Sequence, residues 1–367
     1  MERLQQLRAE LSALDGELLE LVARRQQMVA EIGRVKSTAG RGTRDFGREK
    51  VVLQLARDTA RRVGVDEDVG EELFRLLIRA SLAAQEQDKL ASFGGGSGKR
   101  ALVIGGAGRM GRWFVRFLAS QGYQVEICDP AAAPPGFRHY PDLAQAPLDQ
   151  ELILITAPVA ATAEILLALA QRRPAGVIAD IGSLKGPLRE GFGALRRAGC
   201  RVASMHPLFG PDTELLSGRN LVLVDVGVPE ATEVVRELFS STMVDQVEMS
   251  PEAHDRAMAY VLGLSHAVNI AFFNALAESG EEASELARLS SPTFDAQLDV
   301  ANQVARENPH LYFEIQSLNE HSPRALVALL NAVTQVAGRV LDRDEDGFVR
   351  LMEQGKRFLE RRPDDRP

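Results

Sequence analysis

The sequence predicts a multidomain protein: an all-α domain, then an α/β Rossmann-like dinucleotide-binding domain, then a second all-α domain. Three observations lead to this prediction. About the first ninety residues have apolar side chains at helical spacing, roughly the next 150 alternate short apolar runs with helical segments, and helical spacing returns from about residue 251. A chain of 367 residues is long enough for two or three domains.

The composition limits the classes of partner. The chain has 45% hydrophobic and 26% charged residues and a formal net charge of -8. An acidic chain without a basic block disfavours nucleic acid or an anionic membrane as the main partner. Cys128 and Cys200 lack metal-ligand spacing, so no metal is expected, and the charged N-terminus does not resemble a signal peptide. No run of about eighteen apolar residues occurs, so we expect no membrane span and a cytoplasmic location.

Residues 1–90 predict an all-helical domain of three helices. Apolar residues recur every three or four positions from Leu4 to Val35, which predicts one long helix. The stretch RGTRDFG ends it, a second helix is expected from about Arg48 to Val63, and a third follows GVDED. Three helices, the first about 50 Å long, cannot bury a core alone. We therefore expect this domain to dimerise through its helices.

A linker and two further domains follow. Residues 91–99, ASFGGGSGK, are small, flexible and without apolar anchors, which predicts a linker. In residues 100–249 strands alternate with helices, the pattern of a parallel sheet covered by helices. Residues 250–367 have helical periodicity again.

The segment VIGGAGRMG predicts a nucleotide site. A strand leads into Gly106, Gly108 and Gly111, spaced as G-x-G-x-x-G, and the amide end of the following helix can hold a pyrophosphate. Asp129 ends the second strand, 18 residues beyond Gly111. A carboxylate there accepts hydrogen bonds from the adenosine ribose and repels a 2'-phosphate, which favours NAD over NADP. The cofactor-binding residues predicted from this motif are Gly106, Gly108, Arg109, Met110, Gly111 and Asp129.

Polar residues of the first domain also recur at helical spacing. Ser81 and Gln85 lie four apart on one helical face, and Arg25 and Lys36 are three turns apart. Arg8 is seventeen residues from Arg25, about 25 Å along a helix axis, so both can bind one small ligand only if Arg8 comes from another chain. Asp45, Arg48 and Glu49 lie together where the second helix begins. A solvated charged face is the alternative interpretation.

Residues 1–90 resemble the all-helical chorismate mutase family in LRAELSALDGELLELVARRQQMVAEIGRVK, RDFGRE and SLAAQ. The resemblance implies that chorismate is rearranged to prephenate. It implies that Arg8 of the partner subunit, Arg25 and Lys36 hold the two carboxylates, and that Lys36 and Gln85 face the ether oxygen. The rest of the implied pocket is Asp45 and Glu49 on the hydroxyl side, with Arg48 and Ser81.

The remainder of the chain resembles the prephenate dehydrogenase family. The motifs are VIGGAGRMG, ADIGSLKGPL, MHPLFGPD, EAHDRAMAYV, LSSPTF and NPHLYFEI. The order of the two modules is that of the bifunctional T-protein family of tyrosine biosynthesis. The resemblance implies NAD-dependent oxidative decarboxylation of prephenate to 4-hydroxyphenylpyruvate, a homodimer, and a substrate-binding and dimerisation role for residues 250–367.

The dehydrogenase reaction needs a group that accepts the 4-hydroxyl proton of prephenate. A neutral histidine with a pKa near the working pH suits this role, and His206, just after a predicted strand, is the predicted base. The resemblance implies that Ser183 bonds both His206 and the hydroxyl, that Thr156–Pro158 lie along the nicotinamide, and that His266 lies on the substrate side. The role of His254, catalytic or structural, stays open.

One position departs from the family pattern. Gln303 lies six residues before the proline of P-x-LY, where the family has an arginine that binds prephenate. Loss of a charged hydrogen bond of roughly 2 to 3 kcal/mol would weaken binding about a hundredfold unless Arg306, one helical turn on, replaces it. Arogenate and 4-amino-4-deoxyprephenate, which keep the ring carboxylate, stay open as alternative substrates. A ligand-sensing protein with one inactive module is the alternative outside the enzyme class.

Overall fold

The N-terminal segment forms three helices. The computed structural model describes residues 2–38, 46–93, 96 and 98–361. These three helices are α1 (Glu2–Thr38), α2 (Phe46–Val63) and α3 (Glu67–Phe93). α2 and α3 pack as a hairpin, and α1 runs along α3. α3 covers the first three positions of the predicted linker, and the amides of Gly96 and Gly98 donate to the carbonyls of Gln121 and Gly122 at 2.9 and 3.1 Å. The end of this connection is therefore fastened to the α/β domain.

The helical segment buries few side chains within one chain. Gly70 of α3 approaches α2 so closely that a Cβ there would lie 2.8 Å from the Cβ of Ala60. The apolar stripe of α1 stays largely open, with Leu11 58% and Leu14 60% exposed. The side chains buried here, among the described residues, are Ala56, Ala60, Leu77, Ser81 and Leu82. This core is too small to stabilise a separate domain, as the spacing predicted.

The central domain contains one eight-stranded sheet in the order β3-β2-β1-β4-β5-β6-β7-β8. The strands are β1 (Arg100–Ile104), β2 (Gln124–Cys128), β3 (Arg138–Tyr140), β4 (Leu152–Ile155), β5 (Val177–Asp180), β6 (Arg201–Pro207), β7 (Asn220–Val224) and β8 (Asp245–Met249). All of these strands except β3 and β8 coincide with short apolar runs in the sequence. The reversal of strand order falls between β1 and β4, the position at which open α/β sheets bind ligands.

Helices cover the sheet on both faces. They are α4 (Arg109–Ser120), α5 (Val159–Arg172), α6 (Arg189–Arg197) and α7 (Pro229–Leu238), with short 3-10 helices at Leu143–Gln145 and Gly186–Leu188. All four residues of β4 are buried because parallel strands are covered on both sides. Trp113, Phe117 and Phe239 stack in succession, with ring centroids 5.0 and 4.9 Å apart. These contacts fix α4 and the loop before it.

One strand pair departs from the predicted parallel arrangement. β7 runs antiparallel to β6, with His206 opposite Val222. The physical reason is the connection between them, which contains no crossover helix, so the chain returns alongside β6 in the opposite direction.

The C-terminal domain is helical. Its elements are α8 (Pro251–Met258), a π-helix (Ala259–Leu264), α9 (Ser265–Glu278), α10 (Ala283–Arg288), α11 (Pro292–Arg306), α12 (Pro309–Ser317), α13 (Ser322–Leu341) and α14 (Glu345–Leu359). α8, the π-helix and α9 form one continuous rod. Gln316 Nε2 donates to the carbonyl of Gly263 at 2.6 Å, which satisfies a group in the widened turn.

Two helical stretches of this domain are long and apolar enough to cross a membrane, by length and composition. They are Pro251–Glu278 and Ser322–Leu341, with 17% and 6% of their most apolar window buried. The expectation of no apolar run missed them because single polar residues, such as His266 and Asn269, interrupt their apolar sequence. Apolar helices of soluble proteins meet the same criterion, so two such helices do not establish a membrane span.

Candidate active sites

The helical domain brings together two of the predicted mutase residues at the α1–α3 contact. Arg25 Nη1 donates to Ser81 Oγ at 2.8 Å and to the carbonyl of Leu77 at 3.2 Å. Its guanidinium carbon lies 5.9 Å from the centroid of the Phe74 ring. Burial lowers the pKa of Arg25 from its ordinary value, which still leaves a cation at neutral pH. A fixed guanidinium of this kind suits a carboxylate ligand.

Gln85 lies one helical turn beyond Ser81 on the same face of α3. Its Nε2 donates to the carbonyl of Val29 at 2.9 Å. Gln85 can lie this close to α1 because residue 33 is glycine: a Cβ there would lie 3.1 Å from Gln85 Cγ. The predicted four-residue spacing therefore directs Ser81 and Gln85 toward α1.

The other predicted mutase residues are distributed differently. Arg8 is exposed on the unbroken helix α1, about 25 Å along the axis from Arg25, so the two cannot share a small ligand within one chain. Arg48 is exposed on α2. Lys36 and Glu49 lie in α1 and α2, but their side chains are outside the described part of the chain, and so is all of Asp45.

The glycine loop lies between β1 and α4. Gly105 has a φ of +84°, and a Cβ on Gly111 would lie 2.1 Å from the Gly105 carbonyl oxygen. A Cβ on Gly106 would lie 2.8 Å from Ile127 Cγ2. The chain can therefore turn this tightly only with glycine here, and the first-turn amides of α4 have no partner within the helix.

Asp129 immediately follows β2 and faces this loop. Its Oδ2 accepts the amide of Ala107 at 3.0 Å, and its Oδ1 accepts the amide of Ala131 at 2.8 Å. The side chain is 8% exposed. Each carboxylate oxygen has a second acceptor position, so the group can still accept hydrogen bonds from a ribose.

The other predicted cofactor residues surround the same crevice. Thr156 follows β4, and its amide and hydroxyl donate to the carbonyl of Ile104 at 2.7 and 3.0 Å. Pro158 precedes α5 as its N-cap. Met110 packs on the sheet core. Arg109 pairs with Asp212 at 2.7 Å and with Glu307 at 3.0 Å, so its guanidinium joins the loop to the helical domain.

His206 lies near the end of β6 and is 5% exposed. Its Nδ1 is 2.9 Å from His254 Nε2, and His254 Nδ1 is 2.8 Å from Asp255 Oδ1. Burial lowers the pKa of His206 well below its ordinary value, and the nearby His254 and Lys185 lower it further. His206 is therefore neutral at physiological pH and able to accept a proton.

A buried ion pair lies beneath His206. Lys185 Nζ donates to Asp180 Oδ2 at 2.8 Å and to the carbonyl of Met205 at 2.9 Å, and both charged side chains have no exposed area. Burial lowers the pKa of Lys185, while the Asp180 carboxylate opposes that shift. Sequence reasoning missed Lys185 and Asp180, although both stand inside ADIGSLKGPL, where charged residues interrupt an apolar run.

Ser183 and His266 each present an unpaired polar atom. Ser183 is half-buried in the loop after β5, and its hydroxyl has no hydrogen-bond partner in the described ranges. His266 stacks on Tyr312 with centroids 4.0 Å apart and planes at 12°. Its Nδ1 is buried without a partner among the described residues, and burial lowers its pKa. Gln303 and Arg306 are both exposed on α11.

Comparison with known proteins finds relatives of both the first domain and the rest of the chain. Residues 7–86 match the family described as chorismate mutase type II, and residues 250–354 match the one described as prephenate dehydrogenase, dimerization domain. The T-protein of Enterobacter agglomerans is 28% identical over 350 residues, which cover 95% of this chain and 88% of that protein. The 4-amino-4-deoxyprephenate dehydrogenase of Streptomyces pristinaespiralis is 30% identical over 274 residues, 70% of this chain and 90% of that protein.

A solved structure shares the fold of the second and third domains. Prephenate dehydrogenase from Aquifex aeolicus, in complex with hydroxyphenyl propionate and NAD+, superimposes with a TM-score of 0.56 at 19% identity. The superposition covers 71% of this chain and 97% of that one. With helical, Rossmann-like and helical domains in this order, the chain belongs to the T-protein family, in which a type II chorismate mutase domain precedes a prephenate dehydrogenase module.

Proposed function

We propose that this chain is a bifunctional enzyme of tyrosine biosynthesis. Its first domain rearranges chorismate to prephenate, and its second and third domains oxidise prephenate with NAD to 4-hydroxyphenylpyruvate and carbon dioxide. The observation that carries the proposal is the presence in one chain of two separate groups of polar side chains. Arg25, Ser81 and Gln85 converge in the helical domain, and the buried His206 lies near the carboxyl end of β6, at the same edge of the sheet as the glycine loop that follows β1.

The mutase reaction requires positioning and charge stabilisation. The rearrangement is unimolecular, so no nucleophile or general base is needed, and rate comes from holding the dianion compactly and placing donors at the breaking C–O bond. Arg25, together with Lys36 and Arg8 of the partner subunit, is proposed to hold the carboxylates, and Gln85 to donate to the ether oxygen. Asp45, Arg48, Glu49 and Ser81 are proposed to complete the pocket.

The crevice between β1 and β4 fits a dinucleotide. The loop has no room for a Cβ at Gly106 or Gly111, so the chain turns tightly into α4, whose first-turn amides can bind a pyrophosphate. Asp129, held by the amides of Ala107 and Ala131, is proposed to bind the ribose. The A. aeolicus enzyme, which shares this fold, was solved with NAD+. When bound, NAD supplies the acceptor for the hydride that leaves C4 of the substrate ring.

Residues of the chain are proposed to accept and return the 4-hydroxyl proton of prephenate. His206 is proposed to accept the proton of the 4-hydroxyl as the carbonyl forms, with Ser183 donating to the same oxygen. The bond from C1 to its carboxylate breaks, carbon dioxide leaves, and the electron pair enters the ring. The proton held by His206 returns to the oxygen, which gives a phenol. His266 is proposed to bind the substrate from the helical domain.

A homodimer would complete both helical domains. The exposed face of α13 is apolar, with Leu330 64% and Val333 58% exposed, and the apolar stripe of α1 is open as well. The α13 face lies in the segment matched by the dimerization domain. We propose a cytoplasmic homodimer joined through these faces. Sedimentation of the full chain tests this, because a monomer at the concentrations used for assay would contradict it.

Two assays test the proposed function. Chorismate should be consumed without NAD, and NADH should form from prephenate. Arg25→Ala should abolish the first activity and His206→Asn the second, each leaving the other intact as its control. Arogenate and 4-amino-4-deoxyprephenate are assayed in parallel, because one relative is named for the amino substrate. A higher kcat/KM on either analogue would overturn the assignment to prephenate, and no turnover at all would overturn the enzymatic function.

A further inference from the structure

We infer that His254 and Asp255 form a positioning relay that holds His206 in the one neutral tautomer able to accept the substrate proton. The inference rests on the proposed dehydrogenase function and deepens it. The three groups form a continuous chain, with 2.9 Å between the histidine nitrogens and 2.8 Å between His254 and Asp255. All three are buried, His254 completely.

Asp255 fixes the direction in which the hydrogen bonds of this relay are donated. Burial alone would raise its pKa, but the hydrogen bonds from His254 and from the amides of Lys185 and Gly186 lower it below its usual value. Those amides lie 2.9 Å from Oδ1 and 2.6 Å from Oδ2. An ionised carboxylate only accepts, so His254 Nδ1 must carry the proton that Asp255 receives.

The same reasoning fixes which ring donates in the hydrogen bond between His206 and His254. Burial lowers the pKa of His254, so its ring is neutral and its Nε2 has a lone pair facing His206 Nδ1. His206 Nδ1 must therefore donate, which leaves its Nε2 unprotonated and free to accept. When Nε2 takes up the substrate proton, the hydrogen bond to His254 becomes charge-assisted and stabilises the cation. The other charged group that acts on His206 is Lys185, which is already paired with Asp180.

Asp255 also connects this relay to the second group proposed to contact the hydroxyl. Its carboxylate accepts the amides of residues 185 and 186, which lie two and three positions after Ser183 in the same loop. Its own carbonyl accepts Asn319 Nδ2 at 2.8 Å, which fastens α8 to the connection before α13. Asp255 of the helical domain therefore positions both the His206 ring, through His254, and the loop that contains Ser183.

Kinetics of the full chain test the relay. His254→Phe has a ring of similar size but no acceptor, so we expect kcat for prephenate oxidation to fall about 10- to 100-fold, with KM changed less than about twofold. His254→Gln can accept from His206 and donate to Asp255, so it should recover about tenfold over the phenylalanine variant. Ser322→Ala, which removes a buried polar group of the same domain outside the relay, should match the wild type. An unchanged Kd for NAD reports intact folding of the dehydrogenase module in each variant.

A tautomer measurement separates this inference from the proposed function. The chain has six histidines, so 15N-histidine NMR can be assigned by substitution. We expect the wild-type His206 to be protonated at Nδ1 and not at Nε2, and the His254→Phe variant to gain protonation at Nε2. A wild-type His206 protonated at Nε2, or a glutamine variant no better than phenylalanine, would overturn the relay. If the wild type does not oxidise prephenate, the proposed function fails, and the spectrum still decides the tautomer.

Discussion

Replacing Asp129 by asparagine is expected to reverse part of the cofactor preference. The side chain accepts two amides, from Ala107 at 3.0 Å and from Ala131 at 2.8 Å, one on each oxygen. Asparagine has nearly the same shape, but its NH2 group must face one of these donors. It also lacks the negative charge that binds ribose hydroxyls and repels a 2'-phosphate.

The magnitude follows from these contacts. A hydrogen bond to a charged acceptor contributes roughly 1.5 to 3 kcal/mol, so the Kd for NAD should rise about 10- to 100-fold. The Kd for NADP should fall, since the like-charge repulsion is removed. Both constants can be measured by calorimetry on the full chain.

A matched control isolates the effect. Asp142 also accepts a backbone amide, that of Ala144 at 3.0 Å, at an exposed 3-10 helix of the same domain. Asp142→Asn should therefore leave both cofactor constants unchanged. If Asp129→Asn weakens NAD without strengthening NADP, the repulsion argument fails. If it changes neither, Asp129 does not face the ribose.

Three further predictions concern the two sites. Arg25→Ala should lower mutase kcat/KM at least about 100-fold, because a charged donor to the carboxylate is lost, while NADH formation stays normal; a mutase loss below tenfold would contradict the role. Dehydrogenase kcat/KM should be maintained as pH falls to about 6.5 and decline only in more acid solution, because burial lowers the pKa of His206 and only its neutral form accepts a proton; a decline already near pH 7 would oppose this. Gln303→Arg should lower KM for prephenate about tenfold or more by restoring a carboxylate anchor, whereas an unchanged KM would mean that Arg306 or another residue already binds that group.

Local spacing explains what the sequence could predict. The Gly106–Gly111 loop, the helix periodicity of α1 and the pairing of Ser81 with Gln85 depend on residues a few positions apart, so their geometry follows from strand and helix periods. The same reasoning missed β3 and β8. β3 has only the residues RHY, and the side chains of β8 are mostly exposed, so neither shows a buried apolar run.

The parts that sequence reasoning left open depend on distant contacts. His206 and His254 are 48 positions apart, and only the packing of α8 against the sheet places them within hydrogen-bond distance. The adjacent histidine and aspartate in EAHD were a usable signal, because buried histidines usually have a partner that fixes their tautomer. Their function could be assigned only after His206 was located beside them.

The proposed homodimer would connect dimerisation with catalysis. In the mutase domain the proposed connection is direct: α1 keeps Arg8 about 25 Å from Arg25, so Arg8 of a second copy would complete the carboxylate site. In the dehydrogenase module it passes through the helical rod. α13, which has an exposed apolar face, packs on the π-helix that continues α8, and α8 carries His254. A partner on α13 would therefore restrict the rod that orients His206, so dissociation should reduce kcat of both reactions, the mutase by loss of a ligand and the dehydrogenase by loss of orientation.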